Sequence, residues 1–89
     1  MTQEMHPNHK SLQDFVEFIA RHLVDNPEDV KVEQIDSENN VIYELHVNQA
    51  DLGKVIGKSG RTAQALRTLV TAVSAKSGHR RATLDIIDK

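Results

Sequence analysis

This 89-residue sequence predicts a two-layer α+β domain: a three-stranded mixed sheet with three helices on one face. Two observations carry the prediction. Apolar spacing switches between the helical and the strand period in the order α-β-β-α-α-β, and the two central helical segments meet at Gly57-Lys58-Ser59-Gly60. A third supplies the topology: a crossover of about thirty residues separates the second strand from the last, enough for the two to lie parallel and adjacent with a right-handed connection.

Residues 1–10 are polar, carry Pro7 and show no period, so a mobile tail is expected there and a single domain over 11–89. His6 and His9 have no further ligands nearby and read as solvated, with no metal site. Ser11 is placed to cap a first helix with Asp14 in its first turn, and Leu12, Phe15, Val16, Ile19 and Leu23 form its apolar stripe. Phe15 and Phe18 are expected in the core. Asn26-Pro27 ends this helix.

Residues 30–35 and 41–47 read as strands of a hairpin around a polar turn. In the second, Val41, Tyr43, Leu45 and Val47 alternate with Glu44 and an outward, solvated His46. Asn48 can cap a short helix carrying Leu52, Val55 and Ile56, whose interior Gly53 suggests a close approach by backbone or ligand. The longest helix covers 62–76, with Leu66, Leu69, Val70 and Val73 as its buried stripe and Ala65, Thr68, Ala72 and Ala75 as a stripe of small residues. Gly78 stops it, and residues 81–88 alternate as the last strand.

The helix-to-helix turn holds two of the four glycines, with a lysine and a serine between them. Glycine permits the positive-φ geometry of a tight turn, and the following helix begins with unpaired N–H groups and the positive end of its dipole. The turn therefore reads as an anion site made mostly of backbone. Charge is distributed to match. Residues 1–52 hold three bases against eleven acids, residues 53–89 hold eight bases against two, and no acid lies between Gly53 and Arg81. A basic window around an anion site points to a phosphate-bearing partner.

Without cysteine there is no disulfide framework and no thiolate ligand or nucleophile. No basic-then-apolar leader opens the sequence and no apolar run approaches the roughly 18 residues of a membrane span, so a cytoplasmic protein with no membrane partner is expected. Gly53-Lys54-Val55-Ile56-Gly57-Lys58-Ser59 resembles a Walker A loop but has one residue too few between its glycines, and no Walker B acid follows. Nucleotide hydrolysis is thus the weakest reading.

Val55-Ile56-Gly57-Lys58-Ser59-Gly60-Arg61, set between a short and a long helix, resembles the KH domain signature, and the helix and strand ahead of it resemble the type II, prokaryotic arrangement. The pieces Leu23-Val24-Asp25-Asn26-Pro27, Asp51-Leu52-Gly53-Lys54-Val55-Ile56-Gly57-Lys58 and Gly60-Arg61-Thr62-Ala63, with Ala65-Leu66-Arg67-Thr68-Leu69-Val70, are similar to the KhpA family of small bacterial single-KH-domain RNA-binding proteins. The likeness covers roughly residues 12–88; the polar extension before Ser11 is longer than the family's pattern.

The resemblance implies single-stranded RNA binding without catalytic residues, cofactor or small-molecule substrate, in a groove for about four nucleotides whose GxxG loop clamps the backbone. By position the clamp is Gly57, Lys58, Ser59 and Gly60, with Lys54, Ile56 and Arg61 beside it, and the variable loop is 76–80. Arg80 and Arg81 are further candidate phosphate contacts. The family also implies a role as post-transcriptional regulator or RNA chaperone, acting as a homodimer or with a second, larger KH-containing RNA-binding protein. Ala65, Leu69 and Ala72 are the candidate dimer surface, with Leu69 expected at the edge of the core. The competing reading is a KH fold that serves only as a protein adaptor.

Overall fold

The computed structural model describes residues 9–77 and 81–88. Helix α1 (His9–Leu23) leads through a short turn at Pro27–Asp29 into strands β1 (Lys31–Asp36) and β2 (Asn40–Val47). A turn at Gln49–Asp51, helix α2 (Leu52–Ile56), the glycine turn Lys58–Gly60, helix α3 (Arg61–Ser77) and strand β3 (Arg81–Asp88) complete the chain. The strands lie in the order β1-β2-β3, with β1 and β2 antiparallel and β2 and β3 parallel, as the long crossover implied.

Alternation along β2 buries Val41, Tyr43, Leu45 and Val47 on one face, which the helices cover. Ala82 and Leu84 of β3 and Val32 of β1 complete the inner face. The hairpin closes where the Ser37 N–H and hydroxyl both donate to the Asn40 carbonyl, each at 2.9 Å.

The first helix departs from expectation at its start and on its face. It begins at His9, so Ser11 lies inside it and is not its cap, and Lys10 belongs to the helix and not to a tail; residues 1–8, His6 among them, lie outside the described residues. Leu12, Val16 and Ala20 make the sheet contact, whereas Phe15 is 37% and Phe18 60% exposed, against the expectation of core. Phe15, Val16, Phe18 and Ile19 span too much of the circumference, at 100° per residue, for all to meet one sheet. Phe18 instead packs on the His22 ring, centroids 4.4 Å apart.

The third helix shows the same narrowing. Ala63, Leu66, Val70 and Ser74 face the core, while Leu69 is 44% and Val73 40% exposed, so the predicted buried stripe was too wide by these two residues. At Gly53 an added Cβ would meet nothing within 4 Å, so no protein backbone approaches it closely.

Candidate nucleic-acid interface

The glycine loop is carried by α2, and α2 is fixed by a carboxylate. Asn48 begins the approach: its Oδ1 accepts from the Ala50 N–H at 2.8 Å and its Nδ2 donates to Asp29 at 2.9 Å. Asp51, 1% exposed, then accepts hydrogen bonds from the Asp25 N–H at 3.2 Å and from the Asn26 N–H and side-chain amide, each at 3.0 Å. Burial pushes the Asp51 carboxyl up. The Asn26 amide, the two backbone donors and the Lys54 charge outweigh it and hold the group below its ordinary value. The start of α2 is thereby tied to the corner after α1, with Val55 sealing the helix into the core.

Helix α2 stops where Gly57 turns to φ 80°, ψ 172°, its N–H donating to the Gly53 carbonyl at 2.8 Å. Ser59 follows at φ 55°, ψ 26° and Gly60 at φ 74°. The Gly60 and Arg61 N–H groups reach back to the Gly57 and Lys58 carbonyls, so fewer N–H groups are free at the start of α3 than the sequence suggested. The loop presents the exposed side chains of Lys58 and Ser59 at its apex, with Ile56 and Arg61 exposed beside them. Because residues 53–56 are helical, no strand feeds this loop, unlike a Walker A phosphate cradle.

This helix-loop-helix lies within a match to the KhpA/KhpB KH domain family, whose model spans residues 13–86. The chain belongs to that family. The KH domain shares 50% identity over 78 residues with the RNA-binding protein KhpA of Aquifex aeolicus, covering 88% of this chain and 98% of that one. It is 51% identical over 77 residues to KhpA of Halalkalibacterium halodurans (86% and 100% covered) and 47% over 75 residues to KhpA of Borreliella burgdorferi (84% and 90%). Among solved structures, an Aquifex aeolicus Era variant bound to GDP and aluminium fluoride superposes over the whole chain with a TM-score of 0.58 at 16% identity. This chain spans 32% of that protein's length, and the likeness concerns the fold alone.

In this KH domain Gly57, Lys58, Ser59 and Gly60, the residues expected to form a clamp, make one loop flanked by Ile56 and Arg61. Lys54 is exposed but already engaged, its Nζ 3.3 Å from Asp25 Oδ2, an exposed ion pair of small worth. Arg81 starts β3 with its side chain on the helix-free face of the sheet, beside Thr83 and Asp85, and so is not brought to the clamp. Arg80 lies outside the described residues, as do Gly78 and His79; Lys76 and Ser77 of the expected variable loop belong to α3. Ala65, Leu69 and Ala72 are all exposed on α3.

Two residues that sequence reasoning passed over stand out. Asp51 acts on partners more than twenty positions away, which no local pattern reveals. Arg67 donates from Nε to the Leu84 carbonyl at 3.3 Å; the polar spacing Gln64, Arg67, Thr68, Thr71 was its sequence signal. The helix-free sheet face is acidic, with Glu33 opposite Glu44 and Glu44 opposite Asp85 in register. His46 is on that face as expected but half buried, its Nε2 3.6 Å from Glu33 and 3.5 Å from Glu44. Lys31, 3.3 Å from Glu33, and Arg81 share that face and offset part of its negative charge.

Proposed function

We propose that the chain binds single-stranded RNA without catalysing a reaction, seating the backbone on the Gly57-Lys58-Ser59-Gly60 loop with Ile56, Arg61 and Lys54 at its sides. The observation that carries this reading is the loop itself: exposed Lys58 and Ser59 held out between positive-φ glycines at the start of α3, in a window free of acids. The names of the KhpA relatives support it. Arg80 is proposed as a further phosphate contact; Arg81, turned to the helix-free face of the sheet, is not. The role is that of a post-transcriptional regulator or RNA chaperone in the cytoplasm.

Changing Lys58 and Ser59 together to Asp tests the clamp. Both side chains are exposed, so the fold is expected to persist, by circular dichroism, while anisotropy titrations with single-stranded RNA show binding abolished. Parental affinity in a folded double variant overturns the assignment. A salt series on the parent should give a negative slope of log K against log salt, the mark of phosphate contacts.

The exposed Leu69 and Val73 beside Ala65 and Ala72 favour a protein interface on the same molecule, for a second copy or a larger KH-containing protein. Pairing raises RNA avidity without new contact types. Ala72→Glu is expected to give a folded monomer with weaker RNA binding, and an unchanged mass in sedimentation rejects this surface.

A further inference from the structure

RNA-binding modules commonly stack splayed bases on aromatic rings, and none of this chain's phenylalanine and tyrosine residues lies in the basic window of residues 53–81. Tyr43 is 1% exposed under the helices, and Phe15 and Phe18 are on α1. What the molecule has instead is a shallow, open groove of about 330 Å³ along α3, lined by Gln64, Arg67, Thr68, Thr71 and Ala72 of that helix. Leu69 and Val73 lie on the other flank of α3, while Ala72 borders both the groove and the proposed protein interface.

Arg67 is the charged group of this groove, and it is prearranged. Its Nε–H bond to the Leu84 carbonyl ties the guanidinium to β3, and the residue is exposed. Among the described residues no carboxylate lies within ion-pair distance of it. Strand β3 is at the edge of the sheet, so the backbone groups on Leu84's side of that strand have no neighbouring strand. Arg67 also stands about 9 Å further along α3 than Arg61 at a rise of 1.5 Å per residue, one short step from where a clamped phosphate would sit.

We propose that Arg67 holds a base of the bound strand, its guanidinium plane stacked on the base face, in the role aromatic side chains take in other RNA-binding modules. The inference rests on the RNA-binding reading above and adds the residue that grips a base. A guanidinium plane accepts any base face, so the contact favours RNA with bases over bare backbone and discriminates weakly among sequences.

The test compares an eight-nucleotide adenine RNA with the same backbone carrying four central abasic positions, against the parent, Arg67→Lys and Arg67→Ala. The expected result is that the parent prefers the base-bearing RNA by about fivefold or more, the lower end of stacking effects. Arg67→Lys loses most of that preference while keeping the parental salt slope, because lysine retains the charge but not the plane. If Arg67→Lys matches the parent and Arg67→Ala only lowers the salt slope by about 0.7, the residue contacts phosphate and the inference is overturned. If neither variant changes binding while the Lys58/Ser59 double Asp variant abolishes it, the inference fails and the clamp stands. A parent that binds both RNAs equally overturns it without any variant, and a clamp variant with parental affinity removes both readings.

Discussion

Gly57→Ala should do far more damage than Gly60→Ala, although both glycines have positive φ. A Cβ on Gly57 would run into Thr62 Oγ1 and stand 2.7 Å from Thr62 Cβ and 2.9 Å from the Thr62 backbone nitrogen, whereas one on Gly60 meets nothing within 4 Å. The conformation of Gly57, φ 80° and ψ 172°, also lies in a region essentially reserved for glycine, at a cost of about 1–3 kcal/mol for any other residue. Displacing the first turn of α3 adds an overpacking cost of about 1–3 kcal/mol. The two terms sum to about 2–6 kcal/mol for Gly57→Ala, against about 1 kcal/mol for Gly60→Ala, where only the backbone preference is lost, so the gap is at least about 1 and centrally about 2–3 kcal/mol. For a domain of this size a gap of about 2 kcal/mol corresponds to about 10 °C in Tm. Urea and thermal unfolding of the two variants, followed by circular dichroism, measure it. Thr62→Ala added to Gly57→Ala should recover little, because it removes the hydroxyl and leaves Thr62's Cβ position and nitrogen in place. Equal stability of the two single variants, within about 0.5 kcal/mol, refutes the reasoning.

Ser59 is in the left-handed region at φ 55°, so Ser59→Gly should stabilise the fold by about 0.5–1 kcal/mol, read as a rise in Tm. Asp51→Asn turns a donor toward the donors of Asp25 and Asn26 and should destabilise at neutral pH. The folded-state value of Asp51 is depressed, so its contribution is present above the ordinary 3.8 and lost as pH falls through the folded value. The stability gap between parent and variant, from urea midpoints, should therefore be constant near neutrality and narrow on the acid side; a gap independent of pH down to unfolding argues against the carboxylate. Phe18→Ser should change stability by no more than about 0.5 kcal/mol, while Val16→Ala, two residues earlier and on the core face of α1, should cost about 2 kcal/mol, both by urea titration.

The order of elements, the hairpin, the parallel placement of β2 and β3 and the glycine turn between α2 and α3 were all legible in the sequence, because each is written in local signals: period 2 or 3.6, turn residues, and a pair of glycines in an acid-free window. Alternation in β2 named its buried residues one by one, since a strand has only two faces. Helices are less explicit. The spacing rule marks a stripe wider than the contact a single sheet makes, so the sequence put Phe15, Phe18, Leu69 and Val73 inside, and the tertiary packing, centred on Val16 and Ala20 of α1 and on Leu66 and Val70 of α3, left them exposed. What holds the clamp in place was likewise not local: Asp51 meets Asp25 and Asn26, and Arg67 meets Leu84, only once α1, α2 and the sheet are assembled. The sequence alone determined which residues form the glycine loop between α2 and α3, because backbone geometry there follows from glycine. Only the tertiary structure decided what that loop is braced against and that Glu33 and Glu44 lie on the sheet face away from the helices, because both depend on which elements become neighbours.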